Sequence, residues 1–242
     1  QQINIVISGF TPYEGIDVNP AVLVPAAVAK QWADPAQSQA ISEELLQDIA
    51  VTVTNVTLPV SFAKSLAHLL EAIEQAKPDI VIATGLKRTS RGILLERCAT
   101  NLMDAAKPDA DNVIPPRRPI DPEGPAAYWT RLPLRSILHD FAKHEIPAAL
   151  SSDAGTFVMH RLFYHLHQLG RQARNVRILS GFVSLPIVNG RPHERGLSIE
   201  QQTAAVDDVL RESVRYFLQP SSSDILLAED GSAFYGTIFC DM

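Results

Sequence analysis

Residues Ser151–Arg161 read SSDAGTFVMHR. The apolar stretch Ala148–Ser151 runs into small, turn-forming residues, and a helically spaced run opens at Gly155. The segment therefore reads as a strand end, a tight turn and a helix start. Backbone N–H groups at a helix N-terminus stabilise negative charge, so a thiol or hydroxyl placed there is activated. Met159 stands in that place. A thioether has no proton to lose and is a poor nucleophile towards a carbonyl. The expectation is an enzyme's framework without its reactive atom.

The same alternation extends in both directions. Ile3–Ser8, Ile49–Leu58, Ile80–Ala83, Ile93–Ala99, Ala148–Ser151 and Val176–Leu185 are apolar or β-branched runs closed by Gly, Pro or Ser and read as strands. Helices are predicted over about Ala21–Trp32, Ser61–Lys77 with Ser61 as N-cap, Pro133–Glu145, Gly155–Leu169 and Ser198–Phe217, the last opened by a Ser198/Gln201 capping box. Residues 33–48 are polar and Gln-rich and read as a surface excursion, and Asn101–Gly124 as a long Pro-rich loop of functional or oligomer-contact type. Strands alternating with helices predict an α/β fold, a three-layer α/β/α sandwich with a mostly parallel central sheet. One domain is expected over 1–220. A C-terminal extension over 221–242 follows, with two short strands that suggest a β-hairpin.

Composition narrows the function classes. The chain has 242 residues, 46% hydrophobic and 20% charged, with a net charge of -6, as expected of a soluble globular protein with a real core. No Lys/Arg cluster is long enough for a nucleic-acid groove; Arg117-Arg118 and Arg171/Arg174/Arg177 read as solvated surface. No apolar run approaches the roughly 20 residues that cross a bilayer. Cys98 and Cys240 are too few for a disulfide scaffold and lack metal-ligand spacing. No cofactor and no metal is implied. The chain starts at Gln1 rather than Met, which implies that a tag, a signal peptide or another leading segment was removed and leaves an exported location open.

Several segments together resemble the pyroglutamyl peptidase I family (pyrrolidone-carboxylate peptidases, peptidase C15). They are Gly9-Phe10-Thr11-Pro12-Tyr13 with Asn19-Pro20, Pro78–Ala83 leading to Gly85, Leu95–Asn101, Gly124–Tyr128 with Leu132-Pro133, Ala154–His160 and Gly181–Pro186. They occur in order from about Ile3 to Phe217. The resemblance implies a Cys–His–Glu arrangement, a cytoplasmic location and a homo-oligomer. Carried over position by position, it puts Glu96 on the triad Glu, Met159 on the Cys and Ser184 on the His. It also implies an apolar ligand pocket at Phe10, Tyr13, Leu86, Phe157 and Val158. Because Met159 and Ser184 cannot move a proton unaided, the expectation is a pseudoenzyme that binds a small molecule or a peptide N-terminus.

Other uses of the same residues compete with that expectation. A hydrolase with Ser184 as nucleophile, His160 as base and Glu96 as orienter is chemically legible. Successive helical residues differ by about 100°, however, so His160 should point away from Met159. Glu96 could instead pair with Arg91 or Arg97. Cys98, two residues after Glu96 on the same predicted strand face, could approach the vacated site as a relocated thiol, although strand cysteines are usually small buried hydrophobes. His160, Tyr164 and His167 share a helix face, which reads as a polar face rather than a metal site. A structural or regulatory subunit is the remaining alternative.

Overall fold

The computed structural model describes residues 1–13, 15–16, 18–172, 178–188 and 196–220. The expected hairpin over 221–242, Cys240, Arg174, Arg177 and the first residues of the expected strand Val176–Leu185 lie outside the described residues. Strands β1 (Gln2–Phe10), β2 (Ala50–Leu58), β3 (Ile80–Leu86), β4 (Ile93–Glu96), β7 (Ala148–Ser151) and β8 (Leu179–Leu185) form one sheet in the order β2-β1-β3-β8-β4-β7. All neighbours are parallel except β4 and β8. Two short strands, β5 (Cys98–Thr100) and β6 (Ala127–Trp129), pair antiparallel outside it.

The pleat sorts the core into two layers. Ile5, Ile7, Ile80, Ile82, Val183 and Leu185 pack with Val24, Ile137, Phe141, Val206 and Val209. These helical residues belong to α1 (Pro20–Trp32), α4 (Leu134–Lys143) and α6 (Ile199–Leu218). The alternate residues Val6, Val81, Ala83 and Phe182 pack with Leu69, Leu162, Phe163 and Leu166 on the other face. Here the helices are α3 (Ser65–Ala76) and α5 (Val158–Gln172). Strict alternation of buried side chains on both faces is what a parallel sheet covered by helices requires. The three-layer sandwich expected from the sequence is the observed architecture.

Local signals set most boundaries. Asn19 caps α1, accepting from Ala21 N at 3.0 Å, and its Nδ2 donates to the Phe10 carbonyl at 3.0 Å. The Ser198/Gln201 capping box opens α6. Three expectations are corrected. Residues 33–48 contain a helix, α2 (Pro35–Leu45), capped by Asp34. The expected strand Ile93–Ala99 is two strands, because the chain turns out of the main sheet at Arg97, whose N–H meets Ser151 O and whose carbonyl meets Thr130 N. Ser61 sits before α3 and accepts from Lys64 N at 3.1 Å, whereas the helix itself begins at Ser65 without a side-chain cap.

Candidate active site

Glu96 closes β4 and Ser184 lies on the neighbouring β8, 88 residues away in the chain. Leu94 is the register partner of Ser184, so Glu96 stands one pleat further on the same, α5-facing side. The Ser184 hydroxyl donates to Glu96 Oε1 at 2.6 Å. Glu96 is fully buried, and its Oε2 has no hydrogen-bond partner. Burial pushes the Glu96 carboxyl above its ordinary value of 4.5, with Ser151, Ser184 and the Lys87 charge opposing the shift. Glu96 thus meets Ser184, not Arg91 or Arg97; Arg97 donates instead to Ser152 Oγ through Nε at 2.9 Å and through Nη2.

The turn before α5 overhangs this pair. Gly155 adopts φ +79°, which a residue with a Cβ resists, and its N–H is held by Asp153 Oδ1 at 2.9 Å. Lys87, just past β3, donates to the Asp153 carbonyl. Met159, in the first turn of α5, lays its thioether on Gly85: a Cβ there would sit 2.5 Å from Met159 Sδ and 2.7 Å from Phe182 Cζ. Gly85 is the register partner of Ser184, so Met159, Ser184 and Glu96 converge on one patch of the sheet. Phe10 and Val158 are buried beside it, and Tyr13, Phe157 and Met159 are partly buried against the same cluster. The Tyr13 and Phe157 rings stack at 6.2 Å, Phe62 meets Phe157 edge-on at 5.3 Å, and the Tyr13 hydroxyl donates to Pro108 O. Leu86 follows Gly85 and falls on the opposite pleat, so it does not join this group.

Helix rotation separates His160 from Met159. His160 is buried and its Nε2 lies 2.7 Å from Thr100 O and 3.0 Å from Thr100 Oγ1. A carbonyl oxygen only accepts, so Nε2 carries the proton and Nδ1 is left with a free lone pair and no partner. Burial pulls the imidazole below its usual value, which keeps it neutral. Cys98 opens the same strand, β5, on the same side as Thr100. Its thiol is buried and faces the Ser152 carbonyl at 3.8 Å, and burial pushes it up as well. Cys98 thus reaches the turn before α5 at Ser152, and His160 in α5 reaches back to Thr100 on β5. Because the strand breaks at Arg97, Cys98 and Glu96 do not share one strand face as expected. His160, Tyr164 and His167 go to different partners, Thr100, Pro125 O and Ser180, and among the described residues no group of three His, Cys, Asp or Glu converges to hold a metal.

Sequence reasoning missed the role of β5. A three-residue strand has no periodicity of its own, and the pairing of Cys98–Thr100 with Ala127–Trp129 is invisible before folding.

The Pyroglutamyl peptidase family (Peptidase C15) matches residues 3–207. The chain is 34% identical over 208 residues to a pyrrolidone-carboxylate peptidase of Brevibacillus brevis, covering 86% of this chain and 87% of the relative. It is 37% identical over 185 residues to the pyrrolidone-carboxylate peptidase of Bacillus licheniformis, covering 76% and 78%. The crystal structure of Bacillus amyloliquefaciens pyroglutamyl peptidase I superposes with a TM-score of 0.76 at 30% identity, covering 89% of this chain and 98% of that one. The pyrrolidone carboxyl peptidase of Thermococcus litoralis superposes with a TM-score of 0.76 at 26% identity, covering 90% and 96%.

The expectation of a pseudoenzyme, a member without a cysteine and a histidine for catalysis, is corrected by these findings. The relatives are named as peptidases. A buried thiol, Cys98, and buried imidazoles, His160 and His167, stand in the fold. On sequence alone, Cys98 as a relocated thiol and His160 as a base give way to the Met159 and Ser184 substitutions; Cys98 lies on β5 and His160 on α5. By sequence and by fold, the chain belongs to the pyroglutamyl peptidase family.

Proposed function

We propose that this protein is a cysteine-type peptidase that removes an N-terminal pyroglutamyl group from peptides. The carrying observation is that a buried thiol, Cys98 on β5, and a buried imidazole, His160 on α5, both lie in the region of the α5 turn, the thiol against Ser152 O and the imidazole against Thr100, near the buried Ser184–Glu96 hydrogen bond. In this reading His160, neutral and with no partner on Nδ1, is the base that takes the Cys98 thiol proton once the thiol turns from the Ser152 carbonyl, and the sulfur attacks the amide carbonyl. The C–N bond then breaks, and the amine leaves with the proton from the imidazolium. Water hydrolyses the resulting thioester and regenerates the thiol. N–H groups at the start of α5 favour the negative oxygen of the intermediate. Phe10, Tyr13, Phe157, Val158 and Met159 supply an apolar wall for the lactam ring, and Glu96 with Ser184 supplies a polar floor.

The wider reading has three further parts. The protein works as a homo-oligomer, in support of which the Asn101–Gly124 segment exposes Val113 and Ile114. It acts without nucleic acid or membrane; no helix among the described residues is long and apolar enough to cross a bilayer. It resides in the cytoplasm, in keeping with its bacterial peptidase relatives.

Turnover of a pyroglutamyl aminocoumarin substrate tests the reading. The expected result is hydrolysis that iodoacetamide blocks and that falls at least about a hundredfold in both Cys98→Ala and His160→Gln. Absence of turnover by the wild-type protein refutes the function, and full activity of Cys98→Ala refutes the thiol assignment.

A further inference from the structure

Two arginines near the α5 turn, Arg161 in the helix and the exposed Arg118 on the long loop, have no carboxylate partner among the described residues. Arg161 lies one turn along α5 from Phe157, is half-buried, and donates through Nη1 to the Phe62 carbonyl. No other protein acceptor meets it among the described residues. It therefore flanks the Tyr13–Phe157–Phe62 aromatic group. Arg118 arrives from the long loop. Its backbone exchanges two hydrogen bonds with Met103, at 2.9 and 3.1 Å, and Asp104, next to Met103, is tied to Thr156 by its N–H and by its carbonyl. The nearby Asp104 carboxylate is taken by Arg117 at 3.5 Å. Burial and the Arg118 charge hold the Arg161 guanidinium below the ordinary arginine value. The Arg118 backbone bridge to Met103, beside the Asp104–Thr156 tie, puts its long side chain within reach of the segment that leads into Arg161, and an anion held by both relieves the repulsion between the two charges.

We propose that Arg118 and Arg161 form a carboxylate subsite at the aromatic rim, which takes an acidic group of the peptide downstream of its N-terminal residue. The subsite rests on the peptide N-terminus reading above. The planar guanidinium forks match a carboxylate in geometry as well as charge, which a lysine pair would not. Two sources offer that chemistry, an acidic side chain at the second residue and the free C-terminal carboxylate of a dipeptide.

Three peptides distinguish them: pyroglutamyl-glutamate amide, pyroglutamyl-glutamine amide and pyroglutamyl-glutamine free acid. Affinity is read as KM where the full-length protein hydrolyses the peptide and as a calorimetric Kd where it does not. At low ionic strength, at least one acidic peptide should be favoured over the neutral amide by about tenfold. The preference should shrink in added salt and vanish in Arg118→Gln and Arg161→Gln. The arm that gains identifies the source. Equal affinity for all three peptides, or a preference that survives in both variants, overturns the subsite while leaving the peptidase reading intact. If no peptide is bound or cleaved, both fall.

Discussion

Removing the Ser184 hydroxyl tests the polar floor of the site most directly. In Ser184→Ala, the fully buried Glu96 loses the donor 2.6 Å from Oε1 while Oε2 already lacks a close partner, which leaves Ser151 as the remaining side-chain hydroxyl that relieves the carboxylate. Stranding a buried charged acceptor costs about 1.5–3 kcal/mol. For a chain of this length each kcal/mol lowers Tm by about 2–4 °C, so the variant should melt about 3–12 °C lower at neutral pH. Glu96→Gln behaves differently. The amide oxygen still accepts from Ser184, and no charge has to be buried, so its stability at neutral pH should equal or exceed that of wild type. Because the folded carboxyl titrates above 4.5, the native state binds the proton more tightly than the unfolded chain. Its contribution is fully present below that value and is lost as pH rises through the folded pKa. The Ser184→Ala penalty should therefore shrink in acid and be small in the Glu96→Gln background. Thermal melts of the two single variants and the double variant across pH measure the coupling. A Ser184→Ala variant within about 0.5 kcal/mol of wild type at neutral pH, or an equal penalty in both backgrounds, refutes the argument.

Two further outcomes follow from packing and from a second buried carboxyl. Gly85→Ala puts a methyl against Met159 Sδ and the buried Phe182 ring. It should cost about 1–3 kcal/mol in thermal melts, and Met159→Ala should recover part of that loss if the thioether is the obstacle. Glu212, on α6 beside Asp140 and Arg215, is pushed up to about 6, first by burial and then by Asp140. Its contribution is present below 4.5 and lost as pH rises through about 6. Glu212→Gln should flatten the stability curve over that window, and an unchanged slope would exclude Glu212 as its source.

Legibility in the sequence followed the strength of local signals. Ile80–Ala83 and Ala148–Ser151 are bounded by Pro, Gly or Ser and lie within or match the observed strands. The helix α2 was missed because Ile41 is its only fully buried residue, so an apolar stripe hardly exists; the Asp34–Pro35 pair was the available start signal. Glu96, Ser184 and Met159 could be singled out one by one. Only the family resemblance grouped them; local sequence could not, since their contact depends on which strand lies beside β4.

Sequence alone determined the order of the main-sheet strands and of every helix but α2, the two-faced burial of the sheet and the family. It did so because periodicity and turn chemistry are local. Tertiary structure decided that Ser184 answers Glu96, that Met159 rests on Gly85, and that β5 turns Cys98 and Thr100 towards the α5 turn. Those contacts join residues tens of positions apart. Sheet register and helix packing, which belong to the whole chain at once, set which of them meet.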